Sequence, residues 1–162
     1  MKVGVVGAGF VGQATSLLAC AKIKILAYDK DPAKCSDGVK CARDLAGCRL
    51  IFVAVPTPSK ADASVDLRIV ESVVSDIRRE LGGDTMIVIR STVPPGTSDR
   101  LGCFFMPEFL TEKNWRQDFK ACRHWVFGEP TSASPTSKRR FQSAVQDVFG
   151  AAFESGCIDH QE

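Results

Sequence analysis

Three closely spaced glycines near the start of the chain have the type and spacing that bind a pair of phosphates. Gly7, Gly9 and Gly12 follow the apolar run from Val3 to Val6 and open a predicted helix. The first turn of a helix presents unpaired backbone N–H groups and the positive end of the helix dipole, and both attract phosphate. Gly7 permits a tight turn, Gly9 lets the backbone approach a pyrophosphate, and Gly12 lets the helix lie close to the strand.

The residues after the glycines predict a complete strand–helix–strand unit that ends in an acid. Ile23 to Tyr28 predicts the second strand, and Asp29 follows it 22 positions after Gly7. A carboxylate there accepts hydrogen bonds from the hydroxyls of an adenosine ribose and repels a 2′-phosphate. The predicted cofactor is therefore NAD rather than NADP, although the neighbouring Lys30 is a cation that could tolerate a 2′-phosphate. The predicted helix between the two strands has apolar positions at Val11, Ala14, Leu18 and Ala21.

The size and composition of the chain are those of one ordinary globular domain. It has 162 residues, 44% hydrophobic and 25% charged, with a net charge of +2. So small a charge argues against nucleic-acid and membrane partners. Neither a signal peptide nor an apolar run of about 18 residues is present, which predicts a cytoplasmic protein. The seven cysteines form no C-x-x-C pair, which argues against a metal site and a thioredoxin-like motif.

Two later strands each lead into a polar segment that is bent by proline. Leu50 to Val55 predicts a buried central strand and ends at Pro56-Thr57-Pro58. Met86 to Ile89 predicts the next strand and leads into the segment from Arg90 to Thr97. The carboxyl ends of parallel strands meet at one edge of a sheet, where ligands bind in open α/β folds. Both segments are therefore expected beside the glycine turn.

The whole pattern predicts an α/β fold of the Rossmann type, a doubly wound parallel sheet over residues 1–162. Alternation of strands and helices favours right-handed crossovers between parallel strands. Asp66 is the expected N-cap of a helix that ends at Gly82-Gly83, and Ser134 with Pro135 is expected to begin a late helix. Three further strands are expected at Leu101 to Phe105, Trp125 to Phe127 and Ala151 to Ile158.

Five segments together resemble the N-terminal domain of the UDP-glucose/GDP-mannose dehydrogenase family. Their order and spacing both agree with that family, and the resemblance extends over nearly the whole chain. The last two segments are far more specific than the glycine turn. The segments are Gly7-Ala8-Gly9-Phe10-Val11-Gly12, Asp29, Val55-Pro56-Thr57-Pro58, Ser91-Thr92-Val93-Pro94-Pro95-Gly96-Thr97 and Pro107-Glu108-Phe109-Leu110-Thr111-Glu112.

By this resemblance, the chain is the NAD-binding domain of an enzyme that oxidises the C6 alcohol of a nucleotide sugar, such as UDP-glucose, to a carboxylate with two NAD. Thr92 and Glu112 would hold or activate the water and proton-relay positions, and Glu108 would lie near the nicotinamide and substrate. Acids are also favoured at an exposed helix start, which is the structural alternative for both glutamates. The implied cofactor-binding residues are Gly7, Gly9, Phe10, Val11, Gly12, Asp29, Lys30, Val55, Pro56, Thr57, Ser91 and Thr92.

Two departures from the family pattern limit what is expected of the chain. The crossover from Lys30 to Ala54 is short, and no cysteine stands in the family's G-x-C-x-P-K-D setting before Glu162. Without that thiol, no covalent intermediate forms for the second hydride transfer. We therefore expect residues 1–162 to lack the family's central helix and C-terminal sugar domain, and to bind NAD without completing the oxidation. Formation of an oligomer is compatible with the sequence.

Two other functions are compatible with the sequence. The cofactor domain of a β-hydroxyacid dehydrogenase has the same N-terminal fold, although the segment from Pro107 to Glu112 has no recognised counterpart there. A free-standing, non-catalytic NAD-binding module is the second alternative, which the missing cysteine favours. Activity on UDP-glucose or on short hydroxyacids would separate the two enzymes.

Overall fold

The computed structural model describes residues 1–158. Its centre is a sheet of five parallel strands with helices on both faces, which confirms the predicted Rossmann-type α/β fold. The strands are β1 (Lys2–Val6), β2 (Lys24–Tyr28), β3 (Ile51–Val53), β4 (Ile87–Ile89) and β5 (Phe104–Phe105). The helices are α1 (Phe10–Thr15), α2 (Arg68–Leu81), α3 (Thr97–Arg100), α4 (Trp115–Lys120) and α5 (Pro135–Glu154).

The order of the strands creates a crevice at one edge of the sheet. The strands lie in the order β2-β1-β3-β4-β5, and every neighbouring pair is parallel. Val6, at the end of β1, lies opposite Tyr28 of β2 and Val53 of β3. From β1 the chain adds β2 on one side, and it then returns to add β3, β4 and β5 on the other side. A crevice opens at the carboxyl ends of the strands where this direction reverses, between β1 and β3.

Successive residues of the central strands point to opposite faces and build two cores. Phe52 faces the layer of α1, α4 and α5, where Phe104 stacks on Phe141 with ring centroids 3.7 Å apart. Ile51 and Ile87 face α2 on the other side. Because both faces of the sheet are covered, its strands read in the sequence as continuous apolar runs. The sheet edge that carries the crevice is thereby held between two packed layers.

The first helix is shorter than predicted. α1 ends at Thr15 and continues as one tight 3-10 turn, Ser16–Leu18, so the predicted helical position Ala21 lies outside it. The hydroxyls of Thr15 and Ser16 donate to carbonyl oxygens one turn earlier, at 2.9 Å each. Hydroxyls that bond back in this way compete with the regular helical pattern and bend the helix.

The crossover from β2 to β3 has no α-helix, which agrees with its short sequence. It contains only the 3-10 turns Pro32–Lys34 and Ala42–Leu45, and β2 lies at the edge of the sheet. Ser36 covers part of this edge. Its N–H donates to the Ala27 carbonyl oxygen and its hydroxyl accepts the Ala27 N–H, both at 2.9 Å. These bonds satisfy the N–H and carbonyl groups of Ala27, which in the interior of a sheet would bond to the next strand.

The prediction that Asp66 is the N-cap of α2 is wrong by one position. The helix begins at Arg68, and Leu67 occupies the cap position. Asp66 still accepts the Arg68 N–H at 3.1 Å and forms a salt bridge with its guanidinium at 2.5 Å. An aspartate that accepts the N–H two residues on forms a local turn and satisfies one of the unpaired donors of the helix start. The helix ends as predicted at Gly82, whose φ is +90°.

The predicted sixth strand, Trp125 to Phe127, is not a strand. The nearest pairing is an isolated antiparallel bridge between Phe105 and Gly128. The rings of Trp125 and Phe127 instead pack on Phe149 of α5, with centroids 5.0 and 5.3 Å apart. Aromatic residues favour strands where they can pack on the surface of a sheet. Here they pack on a helix instead. The preceding strand is also shorter than predicted, since it begins at Phe104 and not at Leu101.

The last helix begins as predicted and extends further. The Ser134 hydroxyl accepts the Ser137 N–H at 3.1 Å, and Pro135 occupies the first helical position. α5 continues to Glu154, so the predicted strand from Ala151 is wrong. None of the helices among residues 1–158 is long and apolar enough to cross a lipid bilayer.

Candidate functional site

A cleft of about 530 Å³ opens at the carboxyl edge of the sheet. Residues directly after four strands line it: Gly7 after β1, Asp29 after β2, Ala54 after β3 and Arg90 after β4. The cleft therefore spans the point where the strand order reverses. Eleven of the twelve predicted cofactor residues line it, namely Gly7, Gly9, Phe10, Val11, Asp29, Lys30, Val55, Pro56, Thr57, Ser91 and Thr92.

The three glycines have three different roles. Gly7 has a φ of +93°, and a Cβ there would lie 2.5 Å from the Ala54 carbonyl oxygen. Gly12 lies outside the cleft lining, and a Cβ there would lie 1.8 Å from the Gly7 carbonyl oxygen. Gly9 has an ordinary φ of −68°, and a Cβ there would meet nothing within 4 Å. The packing of the protein requires glycine at positions 7 and 12. Position 9 leaves room for a ligand to approach the backbone.

Asp29 closes the cleft beside β2 and holds the glycine turn. Its Oδ2 accepts the Ala8 N–H at 2.6 Å and its Oδ1 accepts the Asp31 N–H at 2.9 Å. Partial burial acts to raise the pKa of this carboxyl, but the two N–H donors and the nearby Lys34 and Lys30 outweigh it and lower the pKa. A carboxylate can accept about four hydrogen bonds, so this one keeps capacity for ribose hydroxyls.

Ser91 and Thr92 lie at the other end of the cleft, after β4. Ser91 is buried, and its hydroxyl donates to the Val55 carbonyl oxygen at 2.7 Å, which ties the loop after β4 to the loop after β3. Thr92 is exposed and lines the cleft. Three strand spacings of about 4.8 Å separate β2 from β4, so about 14 Å lies between the two ends of the cleft.

The two predicted catalytic glutamates are not brought together. Glu108 is half-buried and lines the cleft with Thr92, and its Oε1 accepts the Leu110 N–H. Glu112 is exposed and lies outside the cleft. The water and proton-relay role of Glu112, which the family resemblance implies, therefore stays a prediction.

The loop that carries these glutamates turns away from the cleft before the next helix. Asp118 accepts both the N–H and the hydroxyl of Thr111, at 2.8 and 2.6 Å. α4 begins only at Trp115, so neither Glu108 nor Glu112 is at a helix start and that structural alternative is wrong. The Asp118 contact joins Thr111 to α4, seven residues further along the chain.

One face of α2 lines the cleft and was not predicted. Ile69, Val73 and Asp76 are spaced four and three residues apart, so they share a helix face. Ile69 is 40% exposed although it is large and apolar. Lys34 lines the cleft as well. The helical spacing on α2 was visible in the sequence, but which of its faces meets the cleft depends on how the helix packs.

Arg90 is a buried cation in the cleft lining that was also not predicted as a site residue. It is only 2% exposed; its Nη1 lies 3.5 Å from the Met106 sulfur and its guanidinium 5.7 Å from the Phe119 ring centre. Among residues 1–158 its Nε has no hydrogen-bond partner, and Arg90 forms no salt bridge. Burial lowers the pKa of Arg90 to about 10, against the attraction of Glu108 and Cys122. The side chain therefore stays positively charged at neutral pH.

The sequence of this chain matches the family model described as the UDP-glucose/GDP-mannose dehydrogenase family, NAD binding domain, over residues 38–145. The chain belongs to the UDP-glucose/GDP-mannose dehydrogenase family. The match includes the loops after β3 and β4 and the segment from Pro107 to Glu112. It begins after the glycine turn, which lies at the same cleft in the structure.

Several members of the family are similar to this chain in sequence. It is 39% identical over 110 residues to a UDP-glucose 6-dehydrogenase of Bacillus subtilis (strain 168), covering 66% of this chain and 21% of that protein. It is 35% identical over 117 residues to the UDP-glucose 6-dehydrogenase of Rickettsia prowazekii (strain Madrid E), covering 65% and 25%. The chain thus spans about a quarter or less of the length of these relatives.

Solved structures of family members share the fold. A GDP-mannose dehydrogenase from Pseudomonas aeruginosa matches 99% of this chain and 45% of its own length, with a TM-score of 0.75 at 20% identity. A UDP-glucose dehydrogenase from Pyrobaculum islandicum matches 98% and 45%, with a TM-score of 0.75 at 24% identity. The structural match includes the N-terminal strand–helix–strand unit, which precedes the range matched by the family model.

Proposed function

We propose that residues 1–162 form the NAD-binding domain of a nucleotide-sugar 6-dehydrogenase, which oxidises the C6 alcohol of UDP-glucose, or of a similar nucleotide sugar, to a carboxylate with two NAD. The observation that carries the proposal is a single cleft, at the reversal of strand order, that joins the glycine turn to Asp29, Thr92 and Glu108. Family membership and the UDP-glucose 6-dehydrogenases among its relatives support the choice of reaction.

The cleft residues fit a nicotinamide dinucleotide. The open space at Gly9 admits a pyrophosphate to the backbone, and Asp29 has unused acceptor capacity for the adenosine ribose. The nicotinamide nucleotide would then lie toward Ser91 and Thr92, at the β4 end. When bound, NAD supplies the acceptor for the hydride removed from the alcohol carbon.

Glu108 and Thr92 are the chain's own groups for the proton of the alcohol. Oxidation of an alcohol needs a base within hydrogen-bond reach of the hydroxyl, directly or through one water. The Leu110 N–H fixes the Glu108 carboxylate at the cleft, and the exposed Thr92 hydroxyl can orient a water there. The proton-relay role of Glu112 stays a prediction that rests on the family resemblance. We infer that residues 1–162 alone bind NAD without completing the oxidation, because they contain no cysteine in the family's nucleophile setting.

Calorimetric titration of the chain with NAD and NADP tests the cofactor. We expect NAD to bind more tightly, since the Asp29 carboxylate would repel a 2′-phosphate. Tighter binding of NADP would contradict the assignment.

Substitution of Gly9 tests whether the ligand lies on the glycine turn. Gly9→Ala should leave the protein folded, because the added methyl meets no atom of residues 1–158 within 4 Å, and should weaken NAD binding on the order of tenfold. Gly150→Ala is the matched control, since its added methyl also meets nothing within 4 Å and lies on α5, away from the cleft. Unchanged NAD affinity in Gly9→Ala would place the ligand elsewhere.

The substrate is tested with the protein at its natural length. We expect oxidation of UDP-glucose with two NADH formed for each sugar. Oxidation of short hydroxyacids alone would contradict the proposed reaction.

A further inference from the structure

Arg90 puts a positive charge at the β4 end of the cleft, opposite the end that Asp29 closes. Its guanidinium contacts a sulfur and an aromatic ring, and it forms no salt bridge with a carboxylate of residues 1–158. The other charged side chains that line the cleft are Asp29, Lys30, Lys34, Asp76 and Glu108. Of these, Glu108 is the one whose attraction acts on Arg90.

A buried charge without an ion-pair partner costs stability, so its position at the cleft calls for a functional reason. The chain bears this cost directly beside Ser91 and Thr92. The glycine turn follows β1, two strand spacings or about 10 Å from β4, whereas Ser91 and Thr92 directly follow Arg90 in the chain. The charge is therefore placed to act chiefly on what binds at the β4 end of the cleft.

We propose that Arg90 sets the preference of the cleft between the two redox states of the cofactor, favouring NADH over NAD. This rests on the proposed function, in which the adenosine lies at Asp29 and the nicotinamide at the β4 end. The nicotinamide ring is cationic in NAD and neutral in NADH, so a nearby cation repels only the oxidised form. Glu108, as an anion in the same part of the cleft, acts in the opposite direction.

The expected size of the effect follows from the interaction of two unit charges. At an effective dielectric constant of about 20, unit charges held in one cleft change an equilibrium constant on the order of tenfold. Since Arg90 has water excluded from around it, the interaction is screened little by salt.

The test measures the dissociation constants of NAD and NADH for the wild-type chain and for neutral variants. In Arg90→Met, the ratio of the NAD constant to the NADH constant should fall about tenfold. In Glu108→Gln, the same ratio should rise. Arg139→Met, which removes an exposed cation from the first turns of α5, is the matched control and should leave the ratio unchanged.

Further variants separate this role from a structural one. Arg90→Lys keeps the charge and should keep the ratio, whereas Arg90→Gln is a second neutral variant in case Arg90→Met does not fold. A purely structural role would weaken the binding of both nucleotides equally and leave the ratio unmoved. An unchanged ratio in the neutral variants, with both nucleotides still bound, overturns the inference and leaves the proposed function standing. Failure of the wild-type chain to bind either nucleotide would overturn the proposed function itself.

Discussion

At the residue scale, the structure shows the physical basis of the different roles that the sequence predicts for Gly9 and Gly12. A methyl group fits at Gly9 and collides with the Gly7 carbonyl oxygen at Gly12. Asp29 likewise does more than its position in the sequence indicated, because it holds the Ala8 N–H of the turn before any ligand is bound. The glycine turn is therefore preorganised by groups that belong to the protein.

Gly12→Ala should destabilise the fold, since the added Cβ would lie 1.8 Å from backbone and not from a movable side chain. We expect the free energy of unfolding to fall by about 2 kcal/mol or more, the usual cost of overpacking. Urea unfolding of Gly12→Ala beside Gly9→Ala measures this difference. Equal midpoints for the two variants would show that α1 can move away from β1 without cost.

At the element scale, the sequence predicts some helix boundaries and misses others. Ser134 begins α5 as its sequence predicts. α1 ends earlier than predicted, where the hydroxyls of Thr15 and of the following Ser16 donate to carbonyl oxygens of the helix. The short crossover after β2 adds no further strand, so β2 lies at the sheet edge. There the Ser36 hydroxyl accepts the Ala27 N–H, which has no neighbouring strand of residues 1–158 on that side.

Ser134→Ala should lower the free energy of unfolding by about 1 kcal/mol, because the Ser137 N–H loses its acceptor at the helix start. Ser143→Ala is the control, since Ser143 is exposed within the same helix and alanine is favoured there. Thermal unfolding of both variants gives the comparison. A loss as large in Ser143→Ala would mean that the cap bond contributes nothing specific.

At the scale of the whole molecule, stability depends on contacts between segments that are distant in sequence and on ion pairs at the ends of the packed elements. α5 closes one core by stacking Phe141 on Phe104 of β5. On the other face, α2 packs on the strands and is joined to the loop before it by the salt bridge between Asp66 and Arg68. This carboxylate connects the stability of the fold to pH.

Asp66 should make the fold less stable in acid. The hydrogen bonds from the Arg68 guanidinium and N–H lower the pKa of Asp66 to about 2, compared with about 3.9 for an unfolded aspartate. The stabilisation is therefore complete above the unfolded pKa and is lost as the pH falls toward 2. In Asp66→Asn, the difference in unfolding free energy from the wild type should shrink between about pH 5 and pH 2.

Denaturant unfolding at several pH values measures this difference. Asp37→Asn is the control, because Asp37 is exposed and outside every salt bridge of residues 1–158. A difference for Asp66→Asn that stays constant across the range would show that its salt bridge with Arg68 contributes nothing to the acid dependence.

The sequence by itself determined the fold class, the glycine turn, Asp29 and the edge of the sheet where the later loops emerge. Each of these follows from local rules: a positive φ needs glycine, apolar runs of a few residues form buried strands, and parallel strands end on one edge. The same rules failed for Trp125 to Phe127, because its aromatic residues found a helix to pack on and not a sheet.

Only the tertiary structure decided which side chains share the cleft. Glu108 lines it and Glu112 does not, and between them Thr111 is hydrogen-bonded to Asp118 of α4. Arg90 lines it without a salt bridge to any of residues 1–158. The groups around a side chain come from segments distant in sequence, and whether a charge finds a partner is settled only when those segments pack.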